Sequence, residues 1–313
     1  MIKFDKLKIV FPSKCVSGYE NNSTFEMIMR NGIVERYKFS YHQTLLKLTV
    51  LPLKGTATIE FSGKILREGY PKLINKDTIH ECFDRINRLG FFSINADDVI
   101  EYGEVVQCDV TADVEGVLTN KLITFVAQHL NYPQWTITPY DNCNLTVQKP
   151  RTTARAKRRM TIYDKGKEMQ AKKDNRDFID DLANKDMVRN YFRGKTRLEL
   201  NLTSKEAIRT DLGIANCDLR SVLQSERNPL RDNFLQAVKL VNKEKKAESA
   251  RDFERAVVLA YYDNDISRIK EQFRPYYTRV SGLNKIIAQY RQLSSKLQPA
   301  DYGWVISIFD NAS

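Results

Sequence analysis

The sequence predicts an α+β fold: an antiparallel or mixed sheet with helices packed on one face over residues 1–204, followed by a helical region over 205–313. Three observations predict it. Short stretches of strict apolar–polar alternation recur between residues 44 and 202, the period of a half-buried strand. Amphipathic helical patterns interrupt them. From about residue 204 the alternation fades and helical periodicity dominates, with no low-complexity linker and no visible repeat.

The elements follow in chain order. Residues 44–62 alternate around a glycine, the pattern of a hairpin. Residues 76–90 place Ile79, Cys82, Phe83, Ile86 and Leu89 on one helical face and stop at Gly90. Residues 104–114 alternate again, and 119–131 are a second amphipathic helix. Residues 144–165 form a hairpin of NLTVQK and RRMTIYDK joined by a basic loop. A polar helical stretch over 174–192 leads to a strand, KTRLELNL, over 195–202. Helices are then expected over 204–212, 228–245, 250–262, 265–273 and 280–297.

Charge narrows the function classes. The chain has 313 residues and carries 50 Lys+Arg against 39 Asp+Glu, a net charge of +11 that calls for an anionic partner. Residues 149–173 hold ten basic residues opposed only by Asp164 and Glu168, so that segment alone contributes about +8. No stretch approaches the roughly 18 apolar residues of a membrane span, so no membrane partner is expected. The start, MIKFDKLKIVF, lacks the apolar region and cleavage site of a signal peptide. Five scattered cysteines without a C-x-x-C pair read as reduced thiols in a cytoplasmic protein.

Parity then locates a candidate site. Successive side chains of a strand point to opposite faces. Gln107, Asp109, Thr111 and Asp113 share one face, as do Arg197, Glu199 and Asn201, and as do Thr161, Tyr163 and Lys165. Thr56, Thr58, Glu60 and Ser62 form a fourth such set. On one sheet these faces would gather Asp109, Asp113, Glu199 and Glu60 near Tyr163. Clustered carboxylates suit Mg²⁺ or Mn²⁺. A tyrosine beside such a metal, with lysines close by, is an oxygen nucleophile aimed at a phosphate. Each motif taken singly is also what an ordinary solvated sheet face carries; the combination on four strands points to chemistry. The pairs Tyr261-Tyr262 and Tyr276-Tyr277 are expected to pack in helices.

The ordered motifs CDVTAD (108–113), MTIYDKGKE (160–168) and TRLELNL (196–202), followed by KEAIRTDLGI (205–214), resemble the gene II/X family of filamentous-phage replication initiators. The related Rep_trans-type plasmid initiators share the broad plan. The resemblance spans most of residues 40–225 and implies a rolling-circle nicking and closing enzyme. Tyr163 falls at the nucleophile position and would form a 5′-phosphotyrosine link, leaving a free 3′-hydroxyl. Asp109 and Glu199 match the acidic positions that hold a divalent metal, with Asp113 as a further ligand. Lys165 and Lys167 would contact the scissile phosphate or lower the tyrosine pKa. Arg151, Arg155, Lys157, Arg158, Arg159 and Arg197 would contact DNA. The implied partners are origin DNA as duplex, hairpin or single strand, with a host helicase and polymerase. No nucleotide cofactor is required, and action at both initiation and termination favours a homodimer or two rounds of attack. The three histidines, His42, His80 and His129, form no His-hydrophobic-His pair, so a site of this kind must rest on carboxylates. Two other readings stay open: a non-catalytic DNA-binding protein, and a metal nuclease in which Tyr163 only stacks on a base.

Overall fold

The computed structural model describes residues 1–20, 22–117, 119–130, 134–140, 144–149, 158–238, 249–262, 265–297 and 303–310. The strands are β1 (Phe4–Pro12), β2 (Val16–Ser17), β3 (Glu26–Arg30), β4 (Ile33–Tyr41), β5 (Leu46–Leu51), β6 (Thr56–Ser62), β7 (Ser93–Ile94), β8 (Glu104–Glu115), β9 (Thr136–Tyr140), β10 (Asn144–Gln148), β11 (Arg158–Asp164) and β12 (Lys195–Leu202). The helices are α1 (Ile79–Arg88), α2 (Ala96–Tyr102), α3 (Thr119–His129), α4 (Lys165–Ala171), α5 (Lys173–Asp180), α6 (Lys185–Phe192), α7 (Lys205–Leu212), α8 (Leu219–Leu223), α9 (Pro229–Ala237), α10 (Ala250–Tyr261), α11 (Ile266–Phe273), α12 (Val280–Leu297) and α13 (Gly303–Asp310). A kinked 3-10 segment covers Gly63–Lys72. The fold is α+β, as the sequence predicts.

Ten strands form one sheet in the order β3-β4-β5-β6-β1-β8-β12-β11-β10-β9, and every pairing is antiparallel. The order contains a duplication that the sequence does not display. In each half, a first strand (β1 or β8) is followed by a four-strand meander whose last strand (β6 or β12) returns to pair with it. The two first strands then pair at the centre, where Lys6 faces Asp109.

One face of the sheet is apolar and buried from β4 to β10. Leu7, Ile9, Leu48, Ile59, Leu145, Ile162, Leu198 and Leu200 are fully buried. Phe83 of α1 meets Phe61 of β6 at 5.8 Å between ring centroids. In the second half, α7, α8 and α9 pack against β8, β11 and β12, and Phe234 of α9 stacks on Phe125 of α3 and on Phe309 of α13. The opposite, polar face is covered only in part. There α4, α5, α6 and the 3-10 segment build a second core from Tyr70, Leu73, Met169, Phe178, Ile179, Val188 and Phe192.

The sequence expectation of a boundary between 204 and 205 is corrected. The compact units are Met1–Lys239 with Val305–Ser313, and Leu240–Trp304. Helices α7–α9 belong to the sheet unit because their apolar faces complete its core. The smaller unit packs Leu259, Ile269, Leu283, Ile287 and Tyr290 between α10, α11 and α12. Tyr262 packs against this core, but Tyr261 and Tyr276 do not; Tyr276 is 84% exposed. Cys15, Cys82, Cys108 and Cys217 are buried free thiols, and among the described residues no helix is long and apolar enough to cross a membrane.

Candidate active site

Register brings the three predicted strands side by side. Tyr163 faces Arg197 and Thr161 faces Glu199 between β11 and β12. Arg197 faces Asp113, Glu199 faces Thr111 and Asn201 faces Asp109 between β12 and β8. Odd-numbered side chains of all three strands therefore share the polar face. The central contact is a hydrogen bond from the Tyr163 hydroxyl to Glu199 Oε1 at 2.6 Å. Both residues line an open cavity of about 760 Å³, together with Asn144, Arg159, Thr161, Lys167 and Lys172.

Burial sets the protonation states here. The Glu199 carboxyl is pushed up to about 7, first by burial and then by the charge of Asp5, against the pull of Lys165 and Arg197. Burial and the neighbouring Glu199 push the Tyr163 phenol well above its ordinary value, so it is neutral near pH 7. The pair is thus a phenol with its proton already directed at a carboxylate that titrates near neutrality, which is the arrangement of a nucleophile and its general base.

Asp5 and Tyr70 belong to the site and were missed from sequence. Arg197 Nη1 donates to Asp5 Oδ1 and to the Tyr70 hydroxyl, each at 2.9 Å, and the Tyr70 hydroxyl donates to Asp5 at 2.8 Å. The signal for Asp5 was the spacing of Phe4 and Leu7. A step of three between apolar positions in an otherwise two-residue period marks a bulge, and the register of β1 against β8 does shift between Phe4 and Lys6. Burial opposes ionisation of Asp5, but Arg197 and Lys165 hold its pKa below the ordinary carboxylate value.

Several predicted roles need correction. Arg197 is fully buried and forks onto both oxygens of Asp113, at 2.6 and 2.8 Å. It is too buried to be a DNA contact, and Asp113, with 2% of its side chain exposed, faces this guanidinium rather than the cavity. Arg158 closes an ion pair with Asp211 at 2.6 Å across β11 and α7, so it too is structural. Lys165 does not reach a phosphate. Its side chain is 4% exposed, its Nζ is 2.9 Å from Glu168, and it lies 5.5 Å from the ring centroids of both Tyr163 and Tyr70. It is a buried charge behind the Tyr163 ring. The chain turns so tightly there that a Cβ on Gly166 would lie 2.9 Å from the Phe192 carbonyl oxygen. Glu60 lies in the other half of the sheet, paired with Lys6 and Lys8. Lys167 and Arg159 do line the cavity, and Lys167 is 67% exposed. Arg151, Arg155 and Lys157 lie outside the described residues.

For a divalent cation the donors on this face are Asp5, Asp109 and Glu199. Among the described residues no three carboxylate, histidine or thiol groups converge as a ready cage. Mg²⁺, however, is commonly held by one or two carboxylates plus substrate phosphate oxygens. The donor set fits that mode: the charge of Asp5 raises both Glu199 and Asp109, a repulsion that a cation would relieve. Burial is the larger cause at Asp109, and Asn201 Nδ2 donates to its Oδ1. No family model matches the chain, and no curated protein matches it either.

Proposed function

We propose that the chain is a DNA strand transferase of the rolling-circle initiator kind, nicking and closing one strand through Tyr163. The observation that carries the reading is the Tyr163–Glu199 hydrogen bond at the wall of an open cavity flanked by Arg159, Lys167 and Lys172. A DNA phosphodiester enters against the basic rim. Tyr163 Oη attacks phosphorus as its proton passes to Glu199 Oε1. The bond from phosphorus to the 3′-oxygen breaks, and the 3′-oxygen takes a proton from solvent. The products are a 5′-phosphotyrosine and a free 3′-hydroxyl. Attack by a 3′-hydroxyl on that ester reverses the step, with Glu199 returning the proton, so no nucleotide cofactor is consumed.

A divalent cation held by Asp109 with Asp5 would neutralise charge on the phosphate oxygens, leaving Glu199 as the proton acceptor. Lys165 and Arg197 stabilise the carboxylates from behind without touching substrate. The lysine and arginine rim gathers phosphate, and its attraction weakens with salt.

The test is incubation of the full chain with 5′- or 3′-labelled single-stranded and supercoiled DNA from its own genetic element, with Mg²⁺ or Mn²⁺, resolved on denaturing gels. The expected result is a protein–DNA adduct that carries the 3′ label, the protein being joined to the 5′-phosphate at the nick, and that is absent in Tyr163→Phe. Cutting that persists in Tyr163→Phe overturns the covalent step. Binding without any cutting in the native protein leaves only a DNA-binding role.

A further inference from the structure

The polar face of the first half of the sheet contributes no residue to the cavity, yet it is rich in basic side chains. Lys6 and Lys8 on β1, Lys47 on β5 and Lys38 on β4 share this face with Glu60, as the registers Lys8–Glu60, Lys47–Glu60 and Lys38–Thr49 require. Arg36, two residues from Lys38, lies on it as well. Lys47 is exposed and Lys6, Lys8, Arg36 and Lys38 are half-buried, while Leu48, Ile59 and Phe39 on the reverse are buried. Five cations thus share this face with Glu60; Arg36 lies 3.6 Å from Glu35, and Glu26 is at the margin opposite Lys38. Across the Lys6–Asp109 pair the same face continues in register onto β12 and β11, whose Glu199, Arg159, Thr161 and Tyr163 line the cavity. Asp109 sits at the junction and feels both Lys6 from one side and Arg159 from the other.

We propose that this face is a track for the phosphate backbone of the DNA that flanks the attacked phosphodiester. The inference deepens the nicking reading and rests on it for the identity of the partner. Six inter-strand steps of about 4.8 Å separate the strand of Tyr163 from that of Lys38, a distance of about 29 Å. That is roughly eight base pairs of duplex at 3.4 Å each. The lysines stand on rigid strands, so their spacing is set by the sheet. Their contacts carry no base identity, and the track supplies affinity and direction for any sequence.

The experiment measures binding of the full chain to labelled DNA containing its nick site, as single strand and as duplex, with flanks of about four or about sixteen nucleotides on each side. Lys38→Gln/Lys47→Gln is compared with a control carrying the same charge change on the helix-covered side, Lys76→Gln/Lys121→Gln. For long flanks, the track variant should bind about tenfold more weakly at physiological salt, and its slope of log K against log salt should fall by about two. For short flanks its affinity should stay within about twofold of the native protein, and the control should match the native protein on both. Equal losses on long and short DNA, or equal losses in track and control variants, overturn the proposal. A loss confined to duplex or to single strand identifies which form occupies the track. Adduct formation is scored on the same samples. A flank-dependent loss in a protein that forms no adduct keeps the track and sinks the nicking reading; an adduct with no flank dependence does the reverse.

Discussion

Glu60 and Glu199 occupy the same place in the two halves of the sheet. Each lies on the strand that returns to its half's first strand, two residues before the one facing the Lys6–Asp109 pair. Ser62 faces Lys6, and Asn201 faces Asp109. Their surroundings differ. Glu60 has Lys8 and Lys47 as cross-strand neighbours and closes ion pairs with Lys6 and Lys8, which overcome burial and hold its carboxyl below the ordinary value. Glu199 has Thr111 and Thr161 as neighbours, a phenol as hydrogen-bond donor and Asp5 close by, and it is pushed up to about 7. The position on the sheet is therefore not what raises the carboxyl. Deeper burial, threonine in place of lysine on the flanking strands, and Asp5 close by do so.

The largest effect separates these two glutamates. Glu199→Gln keeps the hydrogen bond to Tyr163 but removes the proton acceptor, and should slow adduct formation by about 10²–10⁴-fold in single-turnover assays. Glu60→Gln should leave the rate within a few-fold. Similar losses in both would mean that the halves are not chemically distinct.

A second contrast concerns stability. Arg197 and Thr58 are counterparts, each two residues before the paired glutamate. Arg197→Met removes one partner of a buried network and strands Asp113 and Asp5, which should cost about 3–5 kcal/mol. Thr58 lies on the half-buried track face, and Thr58→Val should change stability by no more than about 0.5 kcal/mol. Urea unfolding of the two variants with an unchanged m-value checks this. A loss at Arg197 below about 1 kcal/mol would mean the network is open to solvent.

The sequence was legible where one face of a strand is buried and the other is not. Strands 104–115, 158–164 and 195–202 were placed to within a residue or two, because alternation is strongest where a core lies behind it. Strands 26–30 and 33–41 were missed. Met27, Met29 and Ile33 at that hairpin are all more than half exposed, so period two has no burial to enforce it. Strand 136–140 hides behind Pro139. Within the site, parity put Tyr163, Glu199 and Asp109 on one face correctly. It failed at Lys165 because the strand ends at Asp164, which caps α4, and parity stops with the strand. It also failed to distinguish Arg197 and Asp113 from Glu199 and Asp109. All four lie on the polar face, but the helical insertion covers only the first two, and no local pattern reveals a cover supplied from elsewhere in the chain. The duplication escaped for a related reason: it lives in strand order, and the two halves share no sequence motif.

The finest contrast is in pH, between Glu199 and Glu168. Burial and Asp5 lift Glu199 from an ordinary value of 4.5 to about 7, so between those values the folded protein keeps a proton that the unfolded chain has released. Stability should therefore fall as pH rises through that window. Glu168 behaves in the opposite sense. Burial alone would raise it, but Lys165 and Lys172 bring it down to about 2, so its contribution is present above pH 4.5 and is lost as pH falls from there toward 2. Glu199→Gln should remove the first slope and leave the second, so that the variant gains on the native protein as pH rises from about 5 to 7. Over the same range the native rate of adduct formation should climb about tenfold per pH unit and level off above about 7, because only ionised Glu199 accepts the Tyr163 proton. Parallel stability curves, or a rate independent of pH below 7, would show that Glu199 titrates as an ordinary carboxylate and would remove it as the base.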